Sequence, residues 1–372
     1  NLNGYFLTEN SGERIGIFPI SQSLRYAIPF YSLNETNTLL ESFKNQDGKN
    51  AAIIFDDGEK FGIWPKTYET VYEKEWLRDF FTQTLANENI KVQTFDEFFT
   101  TNKPISLTYL PTVSYAEMGQ WTLNSENNLI LEELLENNVE HKQFIRGGIW
   151  KNFLTKYQES NWIHKRCLEL SSKQTNSIKY KEALYKAECN DVLWHGVFGG
   201  IYLPNLRDNA YKYIIECEKI LPKSKEKLDI DLDGFLEFKY KTDDLLSIIS
   251  LKNGGQLFEL DILDKNFNLQ NTLTRYEEAY HQKIKIETPS SLQKKKSTKL
   301  ETIHDNKLTV NKEISLDYDW YFKKSVIDHI TTLDITIEQF AKNKFKEYGD
   351  FVNQPYSVLK SDTKQIYLKR EG

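Results

Sequence analysis

The sequence predicts an α/β unit, then a helical region, then antiparallel β structure, in that order along 372 residues. Three observations carry this. Short apolar runs alternate with amphipathic stretches over the first hundred residues, the pattern of βα units on a parallel sheet. From about Met118 to Leu221 the apolar residues recur at helical spacing. After Asp229 they alternate, or run together, between turn residues, which reads as an antiparallel β-sandwich. The length suits two or three folded units, and the shifts in pattern divide the chain into residues 1–112, 113–222 and 229–372.

In the first part the strand candidates are residues 14–20, 51–55, 90–94 and 105–110. Between the second and third lies a helix with Trp76, Leu77, Phe80, Phe81 and Leu85 on one face. Four such strands are too few to close a barrel. They form either a small open sheet or part of a larger one. The middle part predicts helices beginning around 129–135 and over 144–157, 178–191 and 212–220, with a boundary at Pro222. In the last part, residues 235–240, 245–251, 256–260 and 284–287 are strand candidates, and Gly254-Gly255 marks a tight turn.

Charge and composition exclude several classes. The net charge of −6 argues against a nucleic-acid-binding surface. The basic run Lys294-Lys295-Lys296 sits in a polar stretch that reads as a solvated loop. No apolar run approaches the roughly 20 residues that span a membrane. Cys167, Cys189 and Cys217 lack metal-ligand spacing and fit reduced thiols in a cytoplasmic protein. Aromatic residues reach 13 %, with seven Trp, more than core packing alone requires and suited to stacking on sugar rings.

The most informative stretch runs from Ala51 to Pro65, where an apolar strand leads straight into Asp56-Asp57-Gly58-Glu59-Lys60 and then Trp64-Pro65. Carboxylates at the C-terminal end of a parallel strand face the active site of an α/β barrel. The two-residue period of a strand puts Asp56 and Asp57 on opposite sides, so one can enter a cleft while the other holds the turn. On composition alone, a turn whose carboxylates merely cap the next segment is equally supported. Glu59 and Trp64 tip the reading toward chemistry, because an acid that donates a proton needs an apolar wall and a neighbouring anion.

Asp56-Asp57-Gly58-Glu59-Lys60-Phe61-Gly62 with Trp64-Pro65 resembles the fourth signature region of glycoside hydrolase family 57. The resemblance continues through Thr67-Tyr68-Glu69, Val71-Tyr72 and Trp76-Leu77. It implies that Asp57 is the general acid/base and that Trp64 lines the substrate cleft, with Glu59 beside them on the substrate side. A second stretch, from Ala187 to Pro204, resembles the family's fifth region. Read from its residues, Ala183, Ala187, Asp191 and Trp194 lie near one helical stripe, and Trp194-His195 offers a stacking plate beside a polar donor. A core Trp and a satisfied His are the commoner outcome of such a pattern. The resemblance implies that Asp191 and Trp194 contact bound glucan, with His195 adjacent. Residues 110–121, 144–165, Gly254-Gly255 with Glu259-Leu260-Asp261, His304-Asp305, Asp328-His329 and 349–356 are similar to the glucanotransferase-type branch.

The implied fold is part of a (β/α)7-type barrel, followed by a helical bundle and an antiparallel β-sandwich. The implied partner is an α-1,4-glucan or maltooligosaccharide, with no cofactor, no metal, no nucleic acid and no membrane. A retaining enzyme needs two carboxyl groups, about 5–5.5 Å apart. The family's glutamate nucleophile lies on an earlier strand, and the sequence around Glu9 and Glu13 does not resemble its motif. We therefore expect the 372 residues to be the later portion of a longer 4-α-glucanotransferase or α-amylase. The competing expectations are a non-catalytic glucan-binding homologue and a sugar deacetylase. The second would need a metal-binding His pair that the six histidines do not form.

Overall fold

A computed structural model describes residues 2–196, 199–286, 316–362 and 365–372. The chain forms two compact units, residues 1–112 and 113–372.

In the first unit β1 (Phe6–Asn10) and β2 (Glu13–Ile17) form an antiparallel hairpin. Its two-residue turn has Ser11 at φ +52° and Gly12 at φ +92°, the left-handed pair that matches strand twist. Sequence reasoning placed a strand at 14–20 but missed β1, whose polar residues read as a loop. The expected strands 51–55, 90–94 and 105–110 do not form ladders. A strand persists only where a neighbour pairs along its length; residues 51–53 find two scattered backbone bonds, and residues 105–108 pair with residues 5–7 over three. Ala51 N donates to Asn3 O (3.1 Å), Ser21 N donates to Ile53 O (2.9 Å), and residues 105–108 run parallel beside β1 with one isolated bridge, Leu7 to Leu107. Beyond this short parallel pairing, the described residues form no parallel sheet and no closed barrel.

Helices α1 (Gln22–Ala27), α2 (Leu33–Glu41), α3 (Trp76–Ala86) and α4 (Phe95–Thr101) complete this unit. Ser32 with Glu35, and Thr94 with Glu97, form capping boxes that fix where α2 and α4 begin. Leu24, Ile28, Leu40, Trp76 and Phe80 make the core, with Trp76 and Phe80 stacked at 5.1 Å. Phe81 and Leu85 are instead exposed. At about 100° per residue they point well over 100° away from Trp76, so one apolar face cannot hold all five.

The second unit begins with α5 (Ala116–Trp121) and α6 (Ser125–Asn137). The helix expected over 144–157 is broken into 3-10 turns and the four-residue α7 (Phe153–Lys156). Gly147 and Gly148 cause this. A Cβ on Gly147 would lie 2.4 Å from Gly119 O, and Gly148 N donates to that same carbonyl at 2.8 Å. There follow α8 (Gln158–Ser171), α9 (Ile178–Ala187) and α10 (Pro204–Ile220), which has Pro at its first position.

An antiparallel meander follows, in the order β3 (Ser224–Leu228), β4 (Glu237–Lys241), β5 (Leu245–Ser250), β6 (Leu257–Ile262) and β7 (Phe267–Asn268). Residues 279–286 form a helix, α11 (Ala279–Ile286), where a strand over 284–287 was expected. Glu287, the lysines 294–296, His304 and Asp305 lie outside the described residues. The chain continues with α12 (Ile337–Ala341) and the hairpin β8 (Ser357–Ser361) and β9 (Ile366–Lys369). Leu246, Ile248 and Phe258 of the meander share one core with Trp162, Ile163, Ile214 and Ile215 of α8 and α10. Helices α8 and α10 therefore cover one face of the meander.

That core contains ions. Arg166, fully buried, pairs with Glu169, with Glu218 at 2.6 Å and with Glu259 at 3.1 Å. Lys239 reaches Glu169 at 2.7 Å and Glu218 at 2.6 Å. Burial pushes the Glu218 carboxyl up, but Arg166 and Lys239 outweigh it and hold it at about 2. No helix among the described residues is long and apolar enough to cross a membrane.

Candidate active site

Asp56 and Asp57 have different surroundings. The Asp56 side chain is 4 % exposed and its oxygens are fully engaged. It accepts from Lys60 Nζ at 2.6 Å, from Arg25 Nε at 3.2 Å and from the backbone N–H of Asp57 at 2.9 Å. Lys60 is itself buried, donates to Arg25 O at 2.8 Å, and sits 5.5 Å from the Trp64 ring centroid and 5.7 Å from that of Phe30. Phe30 and Trp64 stack at 6.0 Å. Asp56 thus anchors the turn. Asp57, next to it, has a side chain 49 % exposed, and one guanidinium nitrogen of Arg25 lies 3.4 Å from its Oδ2.

The turn around them is tightly specified. Asp57 has extended backbone and precedes a 3-10 turn over Gly58–Lys60. The backbone O of Glu59 accepts from Ile63 and Trp64, and Thr67 Oγ1 donates to Trp64 O at 2.6 Å while accepting from Gly62 N at 3.2 Å. Gly62 is at φ +127°, and a Cβ there would lie 2.9 Å from the Tyr72 ring. This close approach leads into a π-helical turn over Glu69–Glu73. The Glu59 side chain is exposed and Trp64 is half-buried. The structure therefore brings Asp57, Glu59 and Trp64 onto one turn. Arg25, from α1, is the group that sequence reasoning missed. A single Arg in an amphipathic helix carries no signal of the loop it will reach.

The second candidate cluster lies in the other unit. The stripe expected from Ala183 to Trp194 does not exist, because α9 stops at Ala187 and a 3-10 turn over Asn190–Leu193 follows. Asp191 is exposed and accepts from Cys189 Sγ at 3.4 Å. Trp194 leaves the turn extended, stacks on Trp121 at 6.2 Å and contacts Phe153, with its Nε1 buried and without a partner among the described residues. Ile201 N donates to Trp194 O at 2.9 Å, and Gly200, at φ +47°, has no room for a Cβ, which would fall 1.7 Å from that oxygen.

His195 Nδ1 is 3.0 Å from Gly199 O, and its ring packs edge-on to Tyr202 at 4.4 Å. Burial lowers its pKa below the ordinary histidine value, against the opposing pull of the Gly199 hydrogen bond and Glu278. Tyr157, Tyr202 and Lys156 converge on the buried Glu278 beside it, Tyr202 at 2.8 Å and Lys156 at 2.8 Å. Val197 and Phe198 lie outside the described residues.

Comparison with known proteins identifies the frame in which these residues sit. Residues 1–111 match the model of Glycosyl hydrolase family 57. Residues 148–221 and 229–372 match the middle and C-terminal domains of Alpha-amylase/4-alpha-glucanotransferase. The chain belongs to glycosyl hydrolase family 57. It is 40 % identical to a 4-alpha-glucanotransferase of Thermococcus litoralis, over 99 % of this chain and 56 % of that protein. An alpha-amylase of Pyrococcus furiosus is 37 % identical, over 98 % of this chain and 56 % of its own length. The crystal structure of 4-alpha-glucanotransferase from Thermococcus litoralis superposes with a TM-score of 0.82 at 37 % identity, covering all of this chain and 56 % of that one. The chain thus spans little more than half the length of the family 57 relatives it matches.

Proposed function

We propose that this family 57 chain is the acid-bearing portion of a retaining α-glucan-active enzyme, a 4-α-glucanotransferase or α-amylase on α-1,4-glucans. One observation carries the reading. Of two adjacent aspartates, Asp56 has a buried side chain locked by Lys60 and Arg25, which leaves Asp57 half-exposed at the start of the turn. Asp57 protonates the departing glycosidic oxygen, then takes a proton from the incoming hydroxyl. Water as acceptor gives hydrolysis, and the 4-hydroxyl of a second glucan gives transfer. Asp56 is unsuited as nucleophile, because both of its oxygens are held by cations. The reading calls for a second carboxylate as nucleophile, a role that Asp56 does not fill.

Trp64 forms an apolar wall beside the acid, and the exposed Glu59 accepts from sugar hydroxyls. Asp191 offers an exposed carboxylate to glucan, while the half-buried Trp194 and His195 contribute ring surface beside it. The names of the relatives support a glucan substrate. The product profile from maltoheptaose, measured on the enzyme that carries these residues, tests the reading. Glucans both longer and shorter than the substrate mean transfer, and shorter ones alone mean hydrolysis. Glucan binding with no turnover would replace the proposal with a non-catalytic binding protein.

A further inference from the structure

Where the helical region gives way to the meander, the chain reads Asp229-Ile230-Asp231-Leu232-Asp233-Gly234, followed by Glu237 at the start of β4. Carboxylates at alternate positions closed by a glycine are the spacing with which a tight loop presents oxygen ligands to Ca2+. Here the glycine, at φ +91°, turns the chain so that Asp229, Asp231 and Glu237 place a carboxylate oxygen each within 4.8 Å of one another. From this we propose that the loop 229–234 and Glu237 form a calcium site that braces the junction into the β region.

An acidic loop alone would not carry this, because such groups are often merely solvated. The second observation comes from the sheet. Glu237 is fully buried and pairs across the ladder with Ser250, whose Oγ lies 3.3 Å from Glu237 Oε1. Ser250 N in turn donates to Gln256 O at 3.0 Å, which sets Gln256, the residue just before β6, opposite Ser250. Residues directly opposite each other share a face. Gln256 is therefore aimed to the same side as Glu237. It is 1 % exposed, and neither its amide oxygen nor its amide nitrogen has a partner among the described residues. Oδ1 of Asp231 is likewise hidden from solvent and unpartnered. Buried polar groups almost always have partners, so a buried amide without one on the same face as Glu237, together with the unpartnered Asp231 oxygen, points to a bound species.

Charge narrows its identity. Among the described residues, Lys252 is the cation that reaches this group, with Nζ 2.8 Å from Asp233 Oδ2, against four carboxylates. The donors are all hard oxygens drawn from a loop and a strand. That suits the larger and more adaptable shell of Ca2+ better than the strict octahedron of Mg2+.

The test uses the 372-residue chain, stripped with EGTA and titrated with CaCl2 by calorimetry and thermal denaturation. One Ca2+ should bind per chain, with a rise in Tm on the order of 5 °C at about 100-fold excess over Kd. The same concentration of MgCl2 should give a smaller rise. Asp231→Asn should weaken binding at least about tenfold yet melt no lower than the parent chain in EGTA, since it removes one of the crowded carboxylates. Gln256→Met, matched in volume, should also weaken binding, and the remote exposed Asp334→Asn should change nothing. The proposal is overturned if neither heat nor a Tm shift is seen at about 10 mM Ca2+, well above the weak end of calcium sites. It is equally overturned if the shift survives in both Asp231→Asn and Gln256→Met.

Discussion

Replacing Glu218 by Gln should cost the second unit about 3 kcal/mol at pH 7, and the deficit should shrink in acid. Glu218 is buried, and its Oε1 receives Arg166 and Lys239 at 2.6 Å each. Its carboxyl titrates at about 2 in the folded chain against 4.5 for an ordinary glutamate. Each unit of difference is worth about 1.4 kcal/mol, so the ionised form contributes roughly 3 kcal/mol. A folded pKa below the unfolded one gives stability that is complete above about 4.5 and lost as pH falls through about 2. By pH 3 roughly 2 kcal/mol of it is gone. Gln cannot ionise and lacks this term at every pH. Urea unfolding followed by tryptophan fluorescence measures it, because Trp162 Nε1 donates to Glu259 within the same network at 2.5 Å. A gap of about 3 kcal/mol at pH 7 that narrows to about 1 kcal/mol at pH 3 is expected. A gap below about 0.5 kcal/mol at pH 7, or one independent of pH, would refute the assignment of Glu218 as the ionised centre of the network.

Other perturbations probe the two candidate clusters. Lys60→Met strips Asp56 of its closest partner and should destabilise the first unit by about 3 kcal/mol, seen as a lower Tm. Gly200→Ala forces a Cβ onto Trp194 O at a left-handed position, and should lower stability by more than 2 kcal/mol, on the order of other backbone-strain substitutions. Unchanged near-ultraviolet circular dichroism and Tm in that variant would contradict the packing described. His195 should titrate by NMR below the ordinary histidine value, because burial disfavours its cation. A midpoint above 6.5 would mean that the Gly199 hydrogen bond and Glu278 outweigh burial.

How much of this was legible in the sequence depended on whether a feature was local. The different roles of Asp56 and Asp57 follow from adjacency at the end of an extended segment, and the turn at 58–62 is held mainly by bonds spanning five residues or fewer. Trp76 and Phe80 were visible as a helical face. Strands at 51–55 and 105–110 were visible as apolar runs, yet pairing is a property of neighbours: residues 105–108 meet β1 over three backbone bonds, while 51–55 meets only two scattered ones and stays unladdered. The stripe from Ala183 to Trp194 failed because one helical period was carried past the end of α9 at Ala187. Arg166, Glu218, Glu259 and Lys239 read as ordinary surface charges, and only the tertiary fold brings them into one buried network. The 229–234 loop was visible in its spacing but was passed over as a change of pattern between domains. Gln256, which gives that spacing its meaning, lies some twenty residues on, just before β6.

The central claim is that Asp57 is the acid/base of an α-glucan enzyme. It is tested most directly by comparing two substrates in the Asp57→Ala form of the enzyme carrying these residues. On maltoheptaose, whose leaving group needs a proton, kcat/KM should fall by about 10^3 or more. On α-maltotriosyl fluoride, whose fluoride leaves without one, the glycosylation rate should stay within about tenfold of the parent enzyme. Equal losses on both substrates, or wild-type rates on maltoheptaose, would contradict the account.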